Sequence, residues 1–421
     1  MKTKLNRRFW LCLTIFSLMG QIAWVVENMY FNVFIYKMFH ASAGDISNMV
    51  TASAITATLT TLSDKIGKRK LFICGGYLLW GISIFSFIFL REDIISKTLG
   101  MTVSAATVGV SLTIILDCVM TFFGSTANDA AFNAWLTDST DSSNRGAAEG
   151  INAMMPLVSI LVVFGGFMFF DLEQAGSWSI IFAVIGTLTT AVGIAGFFLI
   201  KEPDIQPVKG SYLGGILYGF RPKTIAGNKK LYLALLGYIL FNIAIQIYMP
   251  YLIIYYEVAL GMKDYVLIMA PAIIIASVVT AFWGRVYDKK GFRFSGILAV
   301  SALLLGFAVL YLTRTTLPVF VGSLFMMSGY LAGMAVFGAV IRDYTPEGKS
   351  GRLQGVRIFA QVFVPGIVGP AIGKKVLENA RVIENNDGTT SFVPNENIFL
   401  AAAIVLLLVF PFFLVKMEKK K

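Results

Sequence analysis

Long apolar runs alternate with short polar breaks along this chain. Twelve runs begin near residues 9, 46, 71, 102, 147, 177, 230, 265, 294, 316, 353 and 397. Each is near the ~20 residues that a helix needs to cross a bilayer core. In hydrocarbon a helix satisfies its own backbone, so each run predicts a membrane-spanning helix. The expected fold class is an all-α membrane protein of twelve transmembrane helices in two pseudo-symmetric six-helix bundles, with little left for a globular domain. The breaks at 91–100 and 378–396 read as ordinary loops. The first run extends to about Phe39 behind a basic start. It exceeds the apolar core of a secretion signal and lacks a small-x-small cleavage site, so it reads as the first span.

The division into halves comes from two repeated motifs. Ser63-Asp64-Lys65-Ile66-Gly67-Lys68-Arg69 is echoed by Tyr287-Asp288-Lys289-Lys290-Gly291-Phe292-Arg293. Both place Asp three residues before Gly and Arg two after it. Trp135-Leu136-Thr137-Asp138, followed by Arg145 and Gly150, recurs as Val340-Ile341-Arg342-Asp343, followed by Arg352 and Gly355. The longest polar interruption, 201–229, falls between the copies. Residues 1–200 and 230–421 therefore read as two six-helix bundles joined by a linker at 201–229. Parallel repeats of this kind put a substrate site near midplane where the repeats meet.

Composition agrees with this reading. Mean hydropathy is +0.74 and charged residues make up 14%, against ~25% in soluble domains. A net charge of +11 raises the question of nucleic acid, but the charge lies in the breaks. Assigning alternate breaks to opposite faces puts 27 of the 35 Lys and Arg on one side, with only Lys37, Arg91, Lys97, Lys263, Arg314, Lys374, Lys375 and Arg381 on the other. The rich side is expected to be cytoplasmic, in a plasma or inner membrane, with both termini inside. Cys12, Cys74 and Cys118 fall in separate spans and suggest neither a disulfide framework nor a metal site. No phosphate-binding loop, nucleophile–base pair or metal-ligand cluster stands out. The expectation is a transporter rather than an enzyme, without a cofactor.

The Asp-x-x-Gly-x-Arg loop and its echo resemble the signature of the major facilitator superfamily, across essentially the whole chain. The resemblance implies that Asp64, Gly67, Arg69, Asp288, Gly291 and Arg293 form a gate that breaks as the halves rock. Physically, Gly67 and Gly291 permit tight turns. Arg145 and Arg352 are expected as further latch or helix-end residues. Asn128 to Asp138, with Gly20-Gln21-Ile22-Ala23-Trp24, resembles the sugar–cation symporter branch, the melibiose-permease-like and sucrose-transporter-like groups. Asp129 falls where melibiose-type symporters have an acidic cation-site residue. Those symporters also carry span-two carboxylates. Span two here has Thr51, Ser53, Thr56, Thr58, Thr60 and Thr61 but no acid after Asp45. The coupling ion is therefore expected to be H⁺ rather than Na⁺.

An ionisable group at bilayer depth costs ~2.5–3.5 kcal/mol or more, so it needs a partner or a wet cavity. Glu27, Asp117 and Asp129 are the clearest cases. A proton-coupled carrier needs a carboxylate that gains and loses its proton as its exposure alternates. Glu27 and Asp129 are the leading candidates, and Asp117 follows because it reads as lying toward the outer half of span four. Gln21, Trp24, Asn28 and Asn32 share one helical face, with Glu27 at its edge. That stripe either lines a cavity or packs on another helix. Asn242 and Gln246 stand four apart in span seven, with Tyr248, Pro250 and Tyr251 following. Together with Asn133 and Arg357, these amides and rings suit a polyhydroxylated solute, and they equally suit interhelical hydrogen bonds.

The resulting expectation is a monomeric secondary transporter taking up a sugar or glycoside with a proton. The rival is a proton-driven exporter of drugs or other amphiphiles. The charge bias is tested directly with single cysteines in a background free of Cys12, Cys74 and Cys118. Lys97→Cys should react with an impermeant maleimide in intact cells, and Lys290→Cys only after the inner face is opened.

Overall fold

The structure is a computed structural model that describes residues 5–58, 68–99, 104–140, 144–202, 218–346, 350–385 and 388–414. Ten described helices are long and apolar enough to cross a membrane: Arg7–Phe39, Arg69–Phe89, Ala105–Asp138, Ala147–Phe167, Ala175–Leu199, Lys229–Ala259, Tyr265–Leu312, Thr316–Tyr344, Gly355–Val376 and Asn397–Leu414. The 48-residue helix Tyr265–Leu312 holds two spans, because Gly291 breaks it with φ 76° and ψ −178°. A side chain rarely tolerates that region, which glycine enters freely. Ala43–Thr58 occupies the position of the second run. With these two counted, each of the twelve predicted runs has a helix, numbered here as spans one to twelve. The protein is multi-pass. Asp64, Gly67 and residues 203–217 of the expected linker lie outside the described residues.

The chain divides into two compact units, Met1–Lys209 and Gly210–Lys421. In the first, span one packs on spans five and six, span two on four, and span three on four and six. In the second, span seven packs on eleven and twelve, and the helix of spans eight and nine packs on ten and twelve. Corresponding helices therefore find corresponding partners in each unit. Apolar side chains are buried throughout both units. Others, such as Leu112, Ile115, Phe198, Leu305 and Ile404, remain exposed on span surfaces, as a lipid-facing helix requires.

Helix ends are satisfied locally. Asn6 Oδ1 accepts the Phe9 amide at 2.8 Å and opens span one. Ser42 and Asp45 cap span two reciprocally: the Ser42 amide donates to Asp45 Oδ2 at 2.9 Å and the Asp45 amide to Ser42 Oγ at 3.2 Å. At the far end of span six, Arg8 Nε donates to the Leu199 carbonyl at 2.6 Å. A guanidinium at a helix C-terminus meets both the free carbonyl and the dipole.

Both breaks expected as ordinary loops carry structure. Glu92–Leu99 is a helix, with Glu92 and Asp93 in its first turn and Lys97 in its last. That charge order complements the helix dipole. Val382–Glu384 pairs antiparallel with Thr390–Phe392, in the register Ile383↔Ser391. Val382, Ile383 and Thr390 are β-branched, which suits paired strands. In span seven, Pro250, which cannot donate to the helical ladder, lies in a short 3₁₀ turn, Met249–Tyr251.

Gly291 has no neighbour within 4 Å of where a Cβ would stand, so only its backbone opposes substitution. Gly291→Ala should cost ~1–3 kcal/mol through strain, read as a lowered thermal midpoint in detergent. Gly284→Ala, also with open space around the new methyl, should leave the midpoint unchanged or raise it.

Candidate functional site

Among the described residues, four spans contain a π-helical stretch, and each stretch carries polar residues. The π-helical stretches are Val26–Tyr30 in span one, Ser125–Phe132 in span four, Tyr255–Ala259 in span seven and Phe359–Phe363 in span eleven. They contain Glu27 and Asn28, Asn128 and Asp129, Glu257, and Gln361 respectively. A π turn inserts a residue and rotates the face that follows it, and such turns concentrate at functional sites. In span one this separates the expected polar stripe into two environments. Asn28 is exposed and Gln21 and Trp24 half-buried, whereas Glu27 and Asn32 are buried, at 6% and 1% exposure. Asn28 Nδ2 donates to the Trp24 carbonyl at 2.8 Å, and Asn32 Nδ2 to the Asn28 carbonyl at 3.1 Å. These bonds tie the amides to their own helix.

Span four divides its acids in the same way. Asp129 and Asn133 are exposed at span depth, four residues apart on one face. Trp24 and Ser125 stand beside the Asp129 carboxylate. Asn128 Nδ2 donates to Asp129 Oδ1 at 3.2 Å, while its own Oδ1 accepts from Tyr77 Oη at 2.9 Å. Gly20 of span one makes room for this group: a Cβ there would stand 2.3 Å from Asn128 Oδ1 and 2.5 Å from Tyr77 Oη.

Asp117 is 2% exposed and is linked to Glu27 through two hydroxyls. Thr121 Oγ1 donates to Glu27 Oε1 at 2.7 Å. Ser53 of span two donates to Asp117 Oδ2, and the Thr121 and Ser53 hydroxyl oxygens are 3.4 Å apart. Glu27 Oε2 and Asp117 Oδ1 are buried without a hydrogen-bond partner. Ser53, Thr121 and Tyr77 are absent from the candidates read off the sequence. Span two offers seven hydroxyls along its predicted length, Ser47 included, and the sequence alone does not single out the one that faces span four.

The second unit is more closed. Asn242 is buried and donates from Nδ2 to the Tyr238 carbonyl at 2.9 Å. Tyr248 is fully buried between Phe307 and Phe399, with ring centroids 5.1 and 5.8 Å away. Its expected place on an open solute face is therefore corrected: aromatic packing takes its ring. Gln246 and Arg357 are half-buried, as is Tyr330 of span ten. Arg357 and Tyr330 both lie within electrostatic reach of Tyr238.

At the basic ends the two repeat copies are clasped differently. In the first unit Arg69 Nε contacts Asp138 Oδ2 at 3.2 Å, with Arg69 only 7% exposed. The Glu202 carboxylate accepts the adjacent Lys70 amide at 3.1 Å. In the second unit Asp343, the counterpart of Asp138, accepts from Tyr287 Oη at 2.6 Å. Arg293, expected to repeat the role of Arg69, is exposed, as is Asp288. A cleft of about 270 Å³ beside Gly291 is lined by Asp288, Lys289, Tyr287 and Asp343. Arg145 and Arg352 stand in the first turns of their helices, and their side chains lie outside the described residues.

The model of the Major Facilitator Superfamily matches residues 9–370. A nucleoside transporter, NupG, in a mutant form shares the fold at TM-score 0.72 and 13% identity, over 97% of this chain and 99% of that one. A bacterial homolog to the human lysosomal transporter Spinster, inward-facing and unoccupied, gives 0.70 and 14%, over 97% of each chain. The xylose transporter XylE from E. coli, partially occluded and inward open, gives 0.69 and 13%, over 97% of this chain and 99% of that one. No curated protein matches the chain by sequence.

The contact around Gly20 gives a specific outcome. Gly20→Ala should force Asn128 and Tyr77 apart and cost ~1–3 kcal/mol of overpacking. A lowered thermal midpoint should accompany it, and adding Tyr77→Phe should recover part of the loss.

Proposed function

The chain belongs to the Major Facilitator Superfamily and is a transporter, not an enzyme, and we propose that it takes up a sugar or glycoside together with a proton by alternating access. The observation that carries the reading is that spans one and four hold open polar groups, Asn28, Asp129 and Asn133, as well as the buried carboxyls Glu27 and Asp117. A charge kept at bilayer depth is otherwise a cost without return. Asn28 and Asn133 spend one amide hydrogen on their own helices and keep a carbonyl oxygen and a second N–H for a ligand. That donor and acceptor set suits sugar hydroxyls. Trp24 adds an aromatic surface in the first unit, and within the second unit Gln246, Arg357 and Tyr330 are half-buried polar groups of the same kind. One of the solved structures of the same fold is described as a D-xylose-proton symporter, at 12% identity and TM-score 0.69, over 98% of this chain and 99% of that one.

Glu27, Asp117 and Asp129 are the proton-handling groups in this reading. Arg69 with Asp138 and Tyr287 with Asp343 act as inner clasps, with the basic ends facing the cytoplasm of a plasma or inner membrane. The transporter works as a monomer.

Proteoliposomes test this. Protein challenged with mono-, di- and trisaccharides, D-xylose among them, should acidify the lumen when the right sugar is added. Glu27→Gln should reduce that signal at least tenfold. Silence across the sugars, with pH changes only for lipophilic cations, would replace the reading with proton-driven export.

A further inference from the structure

The Glu27–Thr121–Ser53–Asp117 chain makes three contacts between four oxygen-bearing side chains drawn from spans one, two and four. Each contact needs one hydrogen. The two hydroxyls supply two. With both carboxyls ionised, Thr121 donates to Glu27 and Ser53 to Asp117. The Thr121 and Ser53 oxygens then face each other at 3.4 Å with no hydrogen between them. A single added proton completes the chain. Placed on Asp117, it donates to Ser53, Ser53 donates to Thr121, and Thr121 donates to the Glu27 carboxylate. Placed on Glu27, every bond runs the other way. Both arrangements satisfy every contact.

We propose that Glu27 and Asp117 hold one proton in common and pass it through the hydroxyls of Thr121 and Ser53. The transfer is balanced. Asp117 loses its O–H hydrogen to Ser53 Oγ, Ser53 gives its own to Thr121 Oγ1, and Thr121 gives its own to Glu27 Oε1. Three O–H bonds break, three form, and one charge moves from Glu27 to Asp117. Two further features favour a shared proton. Glu27 Oε2 and Asp117 Oδ1 are buried with no partner, so each carboxyl has one engaged and one idle oxygen. Two full charges at this depth, without a cation between them, would repel in a poor solvent for ions. Among the described residues, the titratable groups facing the pair are Asp129 and Cys118, both on span four. Between Ile46 and Thr58, span two brings hydroxyls but no ionisable side chain.

This inference rests on the proton-coupled reading but is tested without a transported solute, so the two fail separately. Purified protein in lipid nanodiscs is titrated from alkaline to acid while the carboxylic C=O stretch is followed by infrared difference spectroscopy. The wild type should gain one protonated carboxyl from the pair. Glu27→Gln and Asp117→Asn should each keep a displaced band, because the remaining acid takes the proton alone. The sum of those two bands should therefore exceed the wild-type signal, and the double variant should show neither. Ser53→Ala and Thr121→Val should divide the wild-type band in two, whereas Ser53→Thr and Thr121→Ser should retain it. A wild-type spectrum equal to the sum of the two single variants would overturn the proposal. So would loss of the band when sodium chloride replaces choline chloride at fixed pH, which would mark a metal-cation site. A shared proton in a protein that moves no sugar would leave this inference standing and remove the sugar-uptake reading.

Discussion

The structure depends on keeping charge inside hydrocarbon satisfied. Glu27 and Asp117 are buried in spans whose other side chains are overwhelmingly apolar. An unpaired carboxylate there is costly enough to select another arrangement. The hydroxyls of Thr121 and Ser53 meet that demand with neutral groups, where an Arg or Lys would fix the charge permanently. A neutral partner leaves the carboxyl free to change protonation state. The same demand explains why spans one, two and four converge at one depth: each brings a group that the others need.

Helix winding is the means by which the polar groups are aimed. A regular helix would have kept Glu27 at the edge of the stripe formed by Gln21, Trp24, Asn28 and Asn32. The π stretch Val26–Tyr30 instead leaves Asn28 open while Glu27 turns inward. In span four, Ser125–Phe132 lies between the buried Asp117 and the open face of Asp129 and Asn133. Asn28 and Asn133 then bond to carbonyls four residues back, which steadies helices with irregular winding. Two acids on one helix thereby stand in different surroundings.

Much of the architecture was legible because it follows from one-dimensional signals. Run length gave the spans, the repeated Asp-x-x-Gly-x-Arg gave the halves, and Gly291 marked a break that its backbone confirms. The carboxyls were equally visible, since Glu27, Asp117 and Asp129 stand out in an apolar background. Their partners were not. Ser53 and Asp117 are 64 residues apart, and nothing in a hydroxyl-rich span distinguishes the residue that faces a neighbour. Helix Glu92–Leu99 was hidden by its brevity and polarity. The sharing of Asp343 with Tyr287, in place of Arg293, was hidden because the repeat preserves spacing while the Gly291 break decides which side chain arrives.

That exchange gives the two clasps different chemical characters. Arg69 and Asp138 join opposite charges, and Arg69 is nearly closed off from water. Tyr287 and Asp343 join a neutral phenol, also only 7% exposed, to an acid that is open to water, as Asp138 is. Dissolved ions weaken charge–charge attraction far more than a hydrogen bond to a neutral donor, yet they reach a covered pair least. With cover alike in both, the ion pair of the first unit is the more salt-sensitive contact and the phenol–acid bond of the second the less. Rising ionic strength should therefore weaken the first unit's contact before the second's.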